Sequence, residues 1–421
     1  MLRAGSLFYA LSISVILALV SISLLLGAHY TRMDLLRDQM REDVFRDSKS
    51  GLELLMGDQT AIGYGSPKDI DLFGNGSDSV LLEKKTWGAF EIAISHAHNK
   101  FFNRQLIASV GWQNQPNDRT ALVLADLDKP LSITGKTRLA GDCYLPQAGI
   151  QRAYIEGQSY SGNKLVDGEI KTSNRFLPEY NDTLVKRIEK SFEFQPTEND
   201  SVIDLQQFQQ SDSITNSFSN RPLYVFSEDT ILIRSEKING QVCIISRKGI
   251  RIGKNSSIQN ALLLAPKIFI EDGVEGNFQA FARDSLVAGE KIHLHYPSVL
   301  GIIANSKSPD VSSLFIGEKS RIFGQLFACS TANDFRKHVI ISTAIESIIY
   351  GEIYSADLVE HRGTVFGDLV CAKFELKTAS AEYENHLMDA VIDRPKRSED
   401  FVASAIARKK TDHETVIEFL K

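Results

Sequence analysis

Residues 321–330 read RIFGQLFACS, residues 348–355 read IIYGEIYS and residues 364–371 read TVFGDLVC. In an extended strand, side chains two apart share a face. Ile322, Gly324, Leu326 and Ala328 therefore point one way, and Phe323, Gln325 and Phe327 point the other. The same register aligns Ile349, Gly351, Ile353 and Ser355, and again Val365, Gly367, Leu369 and Cys371. A glycine at one fixed place on an apolar face predicts close backbone approach or a bend there. The polar residue after each glycine is expected to face solvent.

The unit recurs around Gly141 (LAGDC), Gly157 (IEGQS), Gly168 (VDGEI), Gly240 (INGQV), Gly276 (VEGNF), Gly324, Gly351 and Gly367. The chain has 28 glycines, for which chance alone gives roughly one or two matches, so eight copies argue for an internal repeat. Gly351 to Gly367 and Gly141 to Gly157 are both 16 residues apart, while other gaps are 27, 36 and 48. Short apolar runs such as Ile250–Ile252 fall in the longer gaps. Stacked copies predict a β-solenoid whose coils share one apolar interior. A β-sandwich with glycine-rich turns is the alternative.

The run of units over 139–376 resembles bactofilins, β-helical polymer-forming proteins whose coils carry a similar apolar-x-Gly-acid-apolar signature. The resemblance implies a right-handed β-helix and, with it, a self-associating scaffold.

Outward from the repeat, the chain begins with a different pattern. Residues 7–28, LFYALSISVILALVSISLLLGA, carry no charge over 22 positions. At about 1.5 Å per residue they span roughly 30 Å, the hydrocarbon thickness of a bilayer. A cleaved signal has a shorter apolar region, and Gly27-Ala28-His29-Tyr30 makes a poor cleavage site, so the sequence predicts a transmembrane anchor. Met33, Leu36, Met40, Val44, Gly51, Leu52 and Leu55 then recur at mostly three- and four-residue steps, predicting an amphipathic stalk helix over 29–57. Arg32, Arg37, Arg41, Arg46 and Lys49 follow the anchor, against Arg3 alone before it, and read literally this favours a cytoplasmic domain.

The opening RAGSLFYALSISVILALV, with DVFRDSKSGLELLMGD at 43–58, resembles PilX-class minor pilins and secretion-system pseudopilins, the match resting on Ser50, Gly51 and Leu52. The chain lacks a Gly-Phe prepilin cleavage site and has no Glu inside the apolar stretch. The resemblance implies a bacterial inner-membrane, single-pass protein with its large domain outside the cytoplasm, against the Arg count.

Composition narrows the remaining classes. With 421 residues, 43% hydrophobic content and a net charge of -6, the chain can build real cores but lacks the basic footprint of a nucleic-acid binder. The expected fold class is mainly β. Its order is an N-terminal tail (1–6), a transmembrane helix (7–28), the stalk (29–57) and a small β-rich region (58–134). A first solenoid part (135–174), an insert of short helix plus polar loop (175–222), a second solenoid part (223–380) and a C-terminal cap or tail (381–421) follow. The insert's helix falls at 182–192 and a short terminal helix at 414–421.

Chemistry is sparse. His96/His98 and His293/His295 place two ligands each on one strand face, too few for a metal site. Cys143 and Cys371 fall on the inward face, and Cys243 and Cys329 on the other, where a disulfide between them is geometrically open. No nucleophile elbow, P-loop or zinc-protease motif occurs, so neither catalytic residues nor a cofactor or metal are assigned. The outer parity gathers Phe323, Phe327, Tyr350, Tyr354 and Phe366, a docking surface if exposed and core if the C-terminal segment covers it. The sequence thus predicts a non-enzymatic structural or assembly component of a pilus-like or secretion-like envelope system. Its partners are the membrane and other envelope or pilus-like proteins, with self-association as an option. A bactofilin-like scaffold and a β-helix enzyme acting on polysaccharide are the alternatives.

Overall fold

The computed structural model describes the whole chain except residues 1–3, 58–62, 75–78, 116, 333, 335, 408–411 and 421. Parts of the expected N-terminal tail, small β-rich region and terminal helix therefore lie outside the described residues. The protein is mainly β, with one long N-terminal helix, and divides into two compact units, Met1–Lys85 with Ala93–Leu106 and Thr86–Ile92 with Ile107–Lys421.

In the first unit the expected anchor and stalk form one unbroken helix, α1 (Ala4–Met56). No proline or capping residue interrupts it. Its apolar half is long enough to cross a membrane, and Leu7, Leu17 and Leu25 are 76%, 61% and 71% exposed. Three hydroxyls in and just after this stretch are satisfied locally, as an apolar surround requires: Ser14, Ser21 and Thr31 donate to the carbonyls of Leu11, Leu17 and Gly27 at 2.8–2.9 Å. The other half packs. Val44, Leu52 and Leu55 are buried, and a Cβ on Gly51 would meet Ser95, Leu82 and Val80. Gly51 is therefore small because the helix lies directly on the strands. Lys68–Ile70 adds an antiparallel strand beside Val80 and Leu82.

The second unit is an array of mostly parallel strands whose pairing closes on itself. One column of neighbours runs Ile214, Ile238, Ile258, Gly276, Leu294, Ile322, Ile349, Val365, Ile392, Leu139. A second runs Val225, Ile244, Leu263, Ala280, Leu300, Leu326, Ile353, Leu369, Leu122, Cys143. A third runs Ile231, Ile250, Ile268, Leu286, Leu314, Ile341, Val359, Phe374. Apart from Gly276, these side chains are buried in a single core, which period-two alternation on each strand produces.

The order of the columns corrects the expected layout. Thr120–Leu124 belongs to the array, and Leu131–Thr134 is the middle strand of a separate three-stranded sheet, between His386–Met388 and Ile150–Arg152. Leu122 pairs with Leu369, so the segments from 120 to 172 lie beyond the strand Thr364–Lys377. The array begins at its other end with Ser201–Ile203 and Ser213–Asn216. Residues 173–200 therefore return the chain from one end to the other. The polar tract expected as a surface loop supplies those two strands and a short helix over Leu205–Gln209. Ile203, Phe208 and Ile214 are too widely spaced in a polar background to read as strands.

Two short helices anchor the return. In α2 (Asp182–Ser191), Asn181 caps the N-terminus by accepting from Leu184 N at 3.1 Å. Leu184, Val185 and Ile188 form its buried face, and Arg247 donates to the carbonyls of Phe192 and Phe194 just past its end. In α3 (Leu205–Gln209), Asp204 is the cap and Phe208 plugs the end of the core.

The C-terminal stretch is likewise more than a cap or tail. His386–Met388 pairs with Leu131–Thr134, and Val391–Asp393 lies between the strands Thr364–Lys377 and Arg138–Ala140. His413–Phe419 is a strand antiparallel to Ala108–Gln113, not a helix. Its Thr415, Val416, Ile417 and Phe419 favour extended backbone.

Candidate functional site: a covered polar column and a half-exposed aromatic strip

The repeat glycines form the spine of the site. Gly324, Gly351 and Gly367 are in register. A Cβ on Gly351 would strike the carbonyl oxygen of Gly324, one on Gly367 that of Gly351, and one on Gly324 that of Ser298. Gly141, Gly168, Gly240 and Gly276 back in the same way onto Arg119, Gly141, Asn216 and Ile258. Gly157 does not. It lies in the turn joining Tyr154–Ile155 to Gln158–Ser159, with nothing close, so it does not belong with the other seven.

The residue after each glycine was expected to face solvent, and here the structure corrects the reading. Gln325, Glu352 and Asp368 stack on successive strands and are 5%, 8% and 6% exposed. Gln325 Nε2 donates to Glu352 Oε2 at 2.7 Å, and Ser404 N donates to Gln325 Oε1 at 2.6 Å. Arg397 Nη1 donates to Glu352 Oε1 at 2.8 Å and to Asp368 Oδ1 at 2.7 Å. The segment 394–404 thus lies over this column. Further along, Gln279 accepts from Ala89 N at 2.7 Å and donates to Trp87 O at 2.9 Å, so the turn Trp87–Ala89 covers the column there. The polar step of the repeat is a hydrogen-bonding seat for covering backbone. Two carboxylates buried on neighbouring strands need a cation, which Arg397 supplies; sequence reasoning missed Arg397 because it placed Glu352 and Asp368 in solvent.

The five predicted aromatics divide. Phe327 and Tyr354 are buried at 2% and 6% exposure. Tyr180 packs edge-on against both rings at 5.7 and 5.9 Å, and Tyr354 Oη donates to Pro178 O at 2.8 Å. Their cover comes from the returning stretch, not from the C-terminal segment, and they form no docking surface. Phe323, Tyr350 and Phe366 stay half-buried. Phe323 stacks on Tyr350 at 4.3 Å with 1° between planes, Tyr350 meets Phe366 at 5.2 Å, and His293 extends the stack beside Phe323 at 5.5 Å. Lys396 sits over Phe366 at 5.1 Å. Because ring faces are occupied by neighbouring rings, the strip offers edges outward.

Of the two histidine pairs, only His293 joins this strip. His295 Nε2 lies 2.7 Å from Glu275 and His98 Nε2 lies 3.2 Å from Ser79 Oγ. Among the described residues no group of three His, Cys, Asp or Glu is placed to hold a metal ion. All four cysteines are free and buried, so Cys243 and Cys329 form no disulfide. Burial pushes the Cys143 and Cys243 thiols up to about 12, which leaves them unreactive.

No protein-family model matches the chain, and no curated protein matches it. The bactofilin resemblance therefore gains no support. Among solved structures, the chain is similar to the competence-associated pilin ComZ from Thermus thermophilus, with 10% identity, 91% of this chain and 98% of that chain covered, and a TM-score of 0.24.

Proposed function

We propose that this protein is a membrane-anchored, non-enzymatic structural or assembly component of a pilus-like or secretion-like bacterial envelope system. In this reading the parallel array is a right-handed β-solenoid held outside the cytoplasm. The observation that carries it is α1, one helix from Ala4 to Met56 whose first half is bare and apolar and whose second half is seated on strands through Gly51, Leu52 and Leu55. A rigid rod continuous from a bilayer into a folded unit suits mechanical coupling. The Phe323, Tyr350 and Phe366 strip is the docking surface of this reading, because stacked ring edges offer contact area and little proton-transfer capacity. Reporter fusions at Lys421 test the placement. Activity of an extracytoplasmic reporter is expected, and activity of a cytoplasmic reporter alone would sink the proposal. A photo-crosslinking residue in place of Tyr350 should capture a defined envelope protein.

A further inference from the structure

We propose that a cavity of about 430 Å³ beside Phe176 binds a neutral sugar residue of a glycan. The inference does not rest on the envelope reading. The stretch carrying Phe176 is pinned on both sides of it. Ser173 N donates to Leu145 O at 2.8 Å and Asp126 N to Asn174 O at 2.9 Å, while Pro178 O accepts from Tyr354 Oη at 2.8 Å. Between these ties Phe176 stands 88% exposed. Its ring is thereby held beside the cavity as one apolar wall.

The lining has the mixture that a pyranose ring requires. Phe176 and Tyr144 provide aromatic surface for the ring's C–H face, and Thr120, Ser173, Asn174 and Asp118 provide hydroxyl, amide and carboxylate groups for its hydroxyls. Asp118 is held in place by accepting from Thr120 N at 3.0 Å. Ser173 is 8% exposed, and its Oγ lies in the wall without a hydrogen-bond partner, a state that native structures rarely leave unexplained. Among the described residues the lining contains no Lys, Arg or His, which argues against a phosphate or carboxylate ligand. Nearby Lys171 is committed to Asp142 at 2.9 Å and Glu169 at 3.2 Å. A hydroxyl-rich, uncharged ring is the chemistry that remains.

The test uses the full chain in detergent, titrated calorimetrically with N-acetylglucosamine oligosaccharides, with glucose oligosaccharides and with a proline-rich peptide as an aromatic-seeking control. Binding of a sugar probe is expected, weakened about tenfold or more by Phe176→Ala and by a smaller factor by Ser173→Ala. Phe176 is exposed, so its variant should melt as the parent does. Preference for the N-acetylated probe identifies a peptidoglycan-like glycan, and preference for the glucose probe a glucan. No sugar binding, binding indifferent to Phe176→Ala, or binding of the peptide alone overturns the proposal.

Discussion

Arg397 donates to Glu352 at 2.8 Å with their side chains only 4% and 10% exposed, although 45 residues separate them in sequence. The contact ties the C-terminal covering segment to the repeat column, and Asp368 shares the same guanidinium nitrogen at 2.7 Å. Replacing Arg397 with Met takes from Glu352 and Asp368 the guanidinium they share, leaving Asp368 only Arg394 at 3.9 Å. The expected loss is about 3–5 kcal/mol of stability. A triple variant, Arg397→Met with Glu352→Gln and Asp368→Asn, should recover a large part of it. Denaturant midpoints check both, and an unshifted Arg397→Met midpoint would show that the segment is held by other contacts.

The repeat glycines are separable by one comparison. Gly324→Val and Gly367→Val each press a side chain into the carbonyl of the neighbouring strand, for an expected loss of at least about 1–3 kcal/mol. Gly157 has φ +82 and open space around it, a conformation asparagine tolerates, so Gly157→Asn should stay within about 0.5 kcal/mol of the parent. Equal melting of all three variants would contradict the close-approach account.

Within the aromatic row, Tyr354 and Tyr350 should respond differently. Tyr354→Phe removes the hydroxyl bonded to Pro178 O, with an expected loss of about 1 kcal/mol in stability. Tyr350→Ala with Phe366→Ala should impair assembly in cells while the fold persists. Should the Tyr350 and Phe366 pair simply unfold the protein, the strip is core and the docking role fails.

Acid should weaken the array at His361. This residue ends the strand Ile348–His361 at 2% exposure, with Nδ1 2.6 Å from Thr343 Oγ1 and Nε2 3.3 Å from Val391 O. Burial lowers its pKa from 6.5 to about 4. The unfolded chain therefore binds the proton first, and the stabilisation, fully present above pH 6.5, is lost as pH falls toward 4. The loss at this one site is on the order of 3 kcal/mol. Urea midpoints of the parent and of His361→Gln across that range should converge as the solution is acidified. Parallel curves for the two would assign the acid sensitivity elsewhere.

Local pattern alone determined which segments are helix and strand along much of this chain. The charge-free run at 7–28, the three- and four-residue steps through Leu55, and the alternation at Ile322, Leu326 and Ala328 each specify a face, because side-chain direction follows backbone period. The same alternation is silent on which strand lies beside which. Only the tertiary structure set Leu122 next to Leu369, turned Ile203 and Ile214 into the opening strands of the array, and sent His413–Phe419 to pair with Ala108–Gln113. It also reversed the reading of the polar step: Gln325, Glu352 and Asp368 look like solvent-facing residues on their own strands. They are buried because Arg397 and Ser404 N arrive from a distant segment to satisfy them. A strand's pattern records its need for a covered face, while the identity of the cover depends on contacts between residues far apart in sequence, which no local period encodes.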